Sequence, residues 1–62
     1  MKILILEDED PKYEEIATHV HSVIPDATLQ REKNWLDYTQ ALANAKFDLI
    51  LLDLLVPRSA KD

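Results

Sequence analysis

The sequence predicts an α/β domain: a parallel sheet with helices packed on its faces. Three observations lead there. Residues 2–6 (KILIL) and 49–52 (LILL) are short apolar runs, and each ends in a carboxylate, Glu7 and Asp53. Continuous rather than alternating apolarity is the pattern of strands covered on both faces, as in parallel sheets. Between the runs lie two segments with apolar residues at helical spacing, separated by a short, partly polar stretch. The order strand, helix, strand, helix, strand suits right-handed βαβ crossovers.

Taken in order, residues 2–6 read as a buried strand whose exit carries Glu7, Asp8, Glu9 and Asp10. Asp10 before Pro11 is a helix-start signal, with Asp as N-cap and Pro at the first helical position. Glu14 and Glu15 are expected near that N-terminus, where the macrodipole favours negative charge. Tyr13, Ile16, Ala17, Val20 and Ile24 keep helical spacing and give one apolar face, and Pro25 ends the helix. His19 and His21 are two positions apart, so they point to nearly opposite sides and cannot share a metal. They read as surface or half-buried side chains.

Residues 27–31 (ATLQR) form a weaker, partly polar strand, expected at an edge of the sheet. Asn34 then reads as an N-cap, with Asp37 in an approximate capping-box position. Trp35, Tyr38, Ala41, Leu42 and Ala45 follow at helical spacing, with Lys46 expected in the last turn. Trp35 and Tyr38 read as packing residues with polar tips near the surface. The central stretch is residues 47–58 (FDLILLDLLVPR): an apolar run, Asp53, and Pro57 four positions on. A polar tail, residues 58–62 (RSAKD), reads as a loop.

A chain of 62 residues holds one small domain at most. A core of this size rarely supplies more than roughly 3–5 kcal/mol unaided. With no cysteine, neither a disulfide nor a Cys-ligated zinc is available. No apolar stretch approaches the roughly 20 residues that span a bilayer, and residues 1–6 are too short for a signal-peptide core, so no membrane partner and a cytoplasmic location are expected. The net charge of −5 repels phosphate backbones and argues against direct nucleic-acid binding. The chain has no glycine, which removes every Gly-based phosphate cradle and the usual residue at helix C-termini. A sheet that stops after its third strand leaves a core half built and an edge uncovered. Residues 1–62 are therefore expected to be the amino-terminal part of a single domain rather than a complete fold.

In a flavodoxin-like strand order, 2-1-3, the first and third strands are neighbours and the switch point lies between them. Neighbouring strands sit about 4.8 Å apart, so Glu7, Asp8 and Asp53 would crowd one small pocket. Carboxylates that close repel one another unless a cation intervenes. Mg²⁺ accepts carboxylate and carbonyl oxygens and typically binds beside a phosphoryl group. With one carboxylate free to attack, such a site suits covalent phosphoryl transfer to an aspartate.

KILILEDED followed by a helix, then LILLDLLVP after two further elements, resembles the receiver domain of two-component response regulators. The resemblance covers essentially the whole chain. It implies that Asp53 accepts a phosphoryl group from a phosphohistidine on a sensor histidine kinase or phosphotransfer protein. It also implies that Asp8 binds Mg²⁺ directly, that Glu7 acts through a water, and that the Leu55 carbonyl joins the same ion. Two features depart from the family. Arg58, Ser59, Ala60, Lys61 and Asp62 follow the proline, where the family carries an acidic–glycine pair. The hydroxyl and lysine residues that close the family's fourth and fifth strands are not found here, and Ser59 and Lys61 are not taken for them. As half of such a domain, these residues are not expected to turn over as an enzyme on their own.

The alternative is a receiver-like, non-catalytic interaction module that self-associates or swaps strands with a partner chain through its open edge. A haloacid-dehalogenase-type phosphohydrolase ranks last. That family wants a second Asp two residues after its nucleophile, and position 55 is Leu.

Overall fold

The computed structural model describes residues 1–60 and has the expected α/β architecture. The elements are β1 (Lys2–Leu6), α1 (Asp10–Val23), β2 (Thr28–Glu32), α2 (Trp35–Asn44) and β3 (Leu49–Leu52). The three strands form one parallel sheet in the order β2-β1-β3. β1 aligns Lys2 with Thr28 through Leu6 with Glu32 on one side, and Ile3 with Leu49 through Leu6 with Leu52 on the other.

β1 is central because its residues are apolar on both faces, and the structure covers both. Ile3, Leu4 and Ile5 are fully buried and Leu6 is 1% exposed. Successive side chains alternate between faces. Ile3 and Ile5 pack with Ala27, Leu29 and Leu51 beneath Tyr13, Ile16 and Val20 of α1. Leu4 and Leu6 pack on the opposite face with Tyr38, Ala41 and Trp35 of α2, and with Phe47 and Val56. The chain crosses the sheet first one way and then back. Two crossovers of one hand then place their helices on opposite faces.

Several local expectations shift. α1 begins one residue early: Glu9 is the N-cap, without a side-chain cap bond, and Asp10 is already helical. The Asp10 carboxylate is drawn instead to Arg31, at 2.8 Å, and Lys33, at 3.6 Å. With that start, Glu14 and Glu15 fall in the second turn, and Asp10 is the acid of the first. β2 runs one residue later than expected, because the Ala27 N–H turns back to the Ile24 carbonyl and Thr28 opens the ladder by donating to Met1. Lys46 lies beyond α2, whose C-cap is Ala45. His19 and His21 are both exposed, and His21 Nε2 sits 3.0 Å from the Ala27 carbonyl. Neither helix stops in a left-handed residue: Ile24 and Ala45 are both at negative φ, in a chain that has no glycine to favour the alternative.

β3 is the larger correction. A continuous apolar run predicts a strand covered on both faces, yet Leu49, Ile50 and Leu52 are 41%, 38% and 48% exposed. Identical patterns thus give a buried β1 and an open β3. The difference is position, since β3 has a strand neighbour on one side only. Its amino end is tied down by Lys2, whose N–H donates to Asp48 Oδ2 at 2.7 Å and whose ammonium lies 4.9 Å from the Phe47 ring centroid.

The start of α2 is as expected. Asn34 Oδ1 accepts the Asp37 N–H at 2.8 Å, and Asn34 Nδ2 donates to Asp37 Oδ2 at 2.9 Å. The preceding N–H groups of the helix donate elsewhere: Trp35 to the Pro57 carbonyl at 3.0 Å, Leu36 to the Arg58 carbonyl at 2.9 Å. The loop after β3 is therefore fastened to the first turn of α2. Of the polar tail, Lys61 and Asp62 lie outside the described residues.

Candidate functional site

Where the strands end decides what the site contains. β1 and β3 stop level, Leu6 beside Leu52, and each ladder continues for one more bond. Asp53 N–H donates to the Leu6 carbonyl at 2.9 Å, and Glu7 N–H to the Glu32 carbonyl at 3.0 Å. Glu7 and Asp53 therefore succeed Leu6 and Leu52 side by side at the carboxyl edge of the sheet. Alternation places both on the Ile5 and Leu51 face, toward α1.

The carboxylates of Glu7, Asp8 and Asp53 offer oxygens that all lie within 4.8 Å of one another. Their surroundings differ. Glu7 is 3% exposed, Asp53 is half-buried and Asp8 is exposed. Glu7 Oε2 accepts the Glu9 N–H at 3.2 Å, and Asp53 Oδ1 accepts the Leu55 N–H at 3.0 Å. Each carboxylate is thus partly fixed by the loop that follows it. Leu55 sits in that loop, two residues beyond Asp53, with its side chain 91% exposed. Three hard oxygen donors converging from two strand ends are a donor set suited to a hard divalent cation.

Sequence reasoning missed the cations around the cluster. Arg31 Nε donates to the Glu7 carbonyl at 2.9 Å, and its guanidinium stacks 4.6 Å from the Tyr13 ring centroid. The signal was present but weak: a lone arginine in an edge strand, two residues after Leu29 on what alternation makes an apolar face. Lys12 approaches Glu9 Oε2 at 3.5 Å. Its ammonium pKa is raised first by Glu9 and then by the charges of Glu7 and Asp53, so Lys12 stands within the field of the cluster. The Asp10 carboxyl is held below the usual aspartate range, chiefly by its hydrogen bond from Arg31, with Lys33 next. Val56, 7% exposed, anchors the loop after Asp53 in the α2-side core.

A cleft of about 440 Å³ opens beside the cluster, with Asp8, Arg31, Lys33, Asn34, Pro57 and Ser59 on its walls. Among the described residues no helix is long and apolar enough to cross a membrane. Neither the protein-family models nor the curated proteins nor the solved structures compared with the chain gave a match.

Proposed function

We propose that this chain serves as a receiver in a two-component phosphorelay, acting in the cytoplasm with Asp53 as phosphoacceptor. The convergence of Glu7, Asp8 and Asp53 oxygens within 4.8 Å carries the reading. It is supported by the order β2-β1-β3, which puts these strand ends at a topological switch point.

Asp8, Asp53 and the Leu55 carbonyl would hold Mg²⁺, with Glu7 contributing through a water. When bound, Mg²⁺ would neutralise charge on the carboxylates and on an incoming phosphoryl group. The residues of the chain have the following roles. Asp53 presents an oxygen to phosphorus. A P–O bond forms as the P–N bond of the donor phosphohistidine breaks, and the imidazole leaves as it takes up a proton. The product is an acyl phosphate on Asp53. The Leu55 N–H, bonded to Asp53 Oδ1, orients the carboxylate so that its second oxygen is the one free to attack. The cleft wall carries Arg31 and Lys33 beside the acids Asp8, Glu32 and Asp37, so an anionic donor would depend on the bound cation to approach. A sensor histidine kinase or phosphotransfer protein would be that donor, and the adduct would add about −1.5 to −2 charge, as on other phosphorylated side chains.

The test is labelling of the chain with a small acyl-phosphate donor and Mg²⁺. Asp53→Asn should abolish the label while keeping the far-UV spectrum, and an equal label in that variant would refute the assignment.

A second reading is favoured by the exposure of Leu49, Ile50 and Leu52 on β3 and of Leu54, at 72%, and Leu55, at 91%, beyond it. An open edge flanked by leucines favours association with a second copy of the chain. Mass that rises with concentration, with or without Mg²⁺ and without a label on Asp53, would select it.

A further inference from the structure

We propose that Arg31 is a positioning residue for the acid cluster: its guanidinium holds the turn between β1 and α1 so that Glu7 and Asp8 present their carboxylates beside Asp53. The inference rests on the reading of that cluster as a divalent-cation site.

Arg31 is in β2, on the far side of β1 from Asp53, and aligns with Ile5. From there it makes three attachments to one short segment. Nε donates to the Glu7 carbonyl at 2.9 Å, Nη1 meets Asp10 Oδ1 at 2.8 Å, and the guanidinium carbon lies 4.6 Å from the Tyr13 ring centroid. These contacts bracket Asp8 and Glu9: one just before them, two just after. Asp8 is exposed and lies past the end of β1, so the path of its main chain depends on what holds either side.

Packing alone does not account for an arginine here. Its side chain is 17% exposed, and Nη2 is buried with no hydrogen-bond partner among the described residues. An apolar residue would fill the α1-side core without that cost, as Leu29 does two positions earlier. A lysine would reach one acceptor, whereas the planar fork reaches the carbonyl and the carboxylate together.

Two physical effects of removing Arg31 have opposite signs, and this makes the idea decidable. As a nearby positive charge, Arg31 opposes a cation at the cluster, so neutralising it should tighten cation binding. As a positioning residue it favours binding, and losing a partner that orients metal ligands typically costs about 10–100-fold in affinity.

The experiment is calorimetric titration of the full chain with Mg²⁺, and with Mn²⁺ as a tighter probe, beside Arg31→Met and Arg31→Lys. Far-UV circular dichroism is recorded on each protein. The expected result is affinity weakened about tenfold or more in Arg31→Met. Arg31→Lys keeps the charge and a reach to Asp10 but loses the Nε bond, and should stay weak. Should the methionine variant not fold, the lysine variant decides alone. A folded variant that binds either ion as tightly as the unaltered chain, or more tightly, overturns the proposal and leaves the cation reading standing. An unaltered chain that binds neither ion overturns both.

Discussion

Asp53 donates its main-chain N–H to the carbonyl of Leu6, 2.9 Å away, one step beyond the last paired residues of β1 and β3. Two strands separated by the rest of the domain thereby deliver their acids to one place. The bond is made by backbone, so it fixes the neighbourhood of Asp53 whatever its carboxylate is doing.

Crowded carboxylates should show themselves as a trade between stability and ion binding. Asp8→Asn removes one charge of the cluster and is expected to leave stability in ion-free buffer unchanged or slightly raised. It should also remove most of the stabilisation that Mg²⁺ confers, which for a site at a hundredfold excess over Kd is about 2.7 kcal/mol. Thermal midpoints with and without Mg²⁺ check both halves. A full ion-induced rise in Asp8→Asn would exclude Asp8 as a ligand.

Asp10 sets a pH dependence whose sign is determined. Arg31 and Lys33 lower its carboxyl pKa in the folded chain. A lowered folded value means stabilisation that is present above the ordinary aspartate range and lost as pH falls through the lowered value. Asp10→Asn should therefore flatten the acid limb of stability against pH, and added salt should flatten it in the unaltered chain, because Asp10 is exposed. Lys12, raised chiefly by Glu9, acts at the other end: its contribution is present below the ordinary lysine range and lost as pH rises through the raised value.

Asn34 is 3% exposed and supplies the cap of α2. Asn34→Ala should cost about 1 kcal/mol, within a range of roughly 0.5–2, read from the urea midpoint. Asn34→Asp keeps the acceptor for the Asp37 N–H but replaces a donor to Asp37 by a like charge, so it should recover only part of the loss.

Val56→Ala should loosen the loop after Asp53 without touching a carboxylate. Removing two buried carbons costs about 1.6 kcal/mol at roughly 0.8 per methylene. The loop that carries Leu55 is expected to become more mobile, so Mg²⁺ affinity should fall along with stability. Unchanged affinity at reduced stability would mean that this loop contributes nothing to the ion.

The parts of the structure that were legible in the sequence are those set by period and by chain order. The buried pattern of residues 2–6, the helical spacing of Ile16 and Val20, and Asn34 with Asp37 all act through near neighbours, and each is where it was expected. The convergence of Glu7, Asp8 and Asp53 followed from strand order alone. What failed to show depends on contacts distant in sequence. Asp10 looks like a cap until Arg31, on β2, competes for it. Arg31 looks like an ordinary edge-strand residue until its reach to the Glu7 carbonyl is seen. The apolar run of β3 pointed to a covered strand, whereas the strand order 2-1-3 and the expected uncovered edge pointed to the openness that is found, because burial belongs to the neighbours of a strand.

The bonds from Trp35 and Leu36 to the carbonyls of Pro57 and Arg58 have one more consequence. A latch formed wholly of main chain is indifferent to the side chains that hang from it. Side chains at Pro57 and Arg58 can therefore change while the course of the main chain over the helix is kept. An edit to the backbone itself, such as Leu36→Pro, would remove one of its two bonds outright.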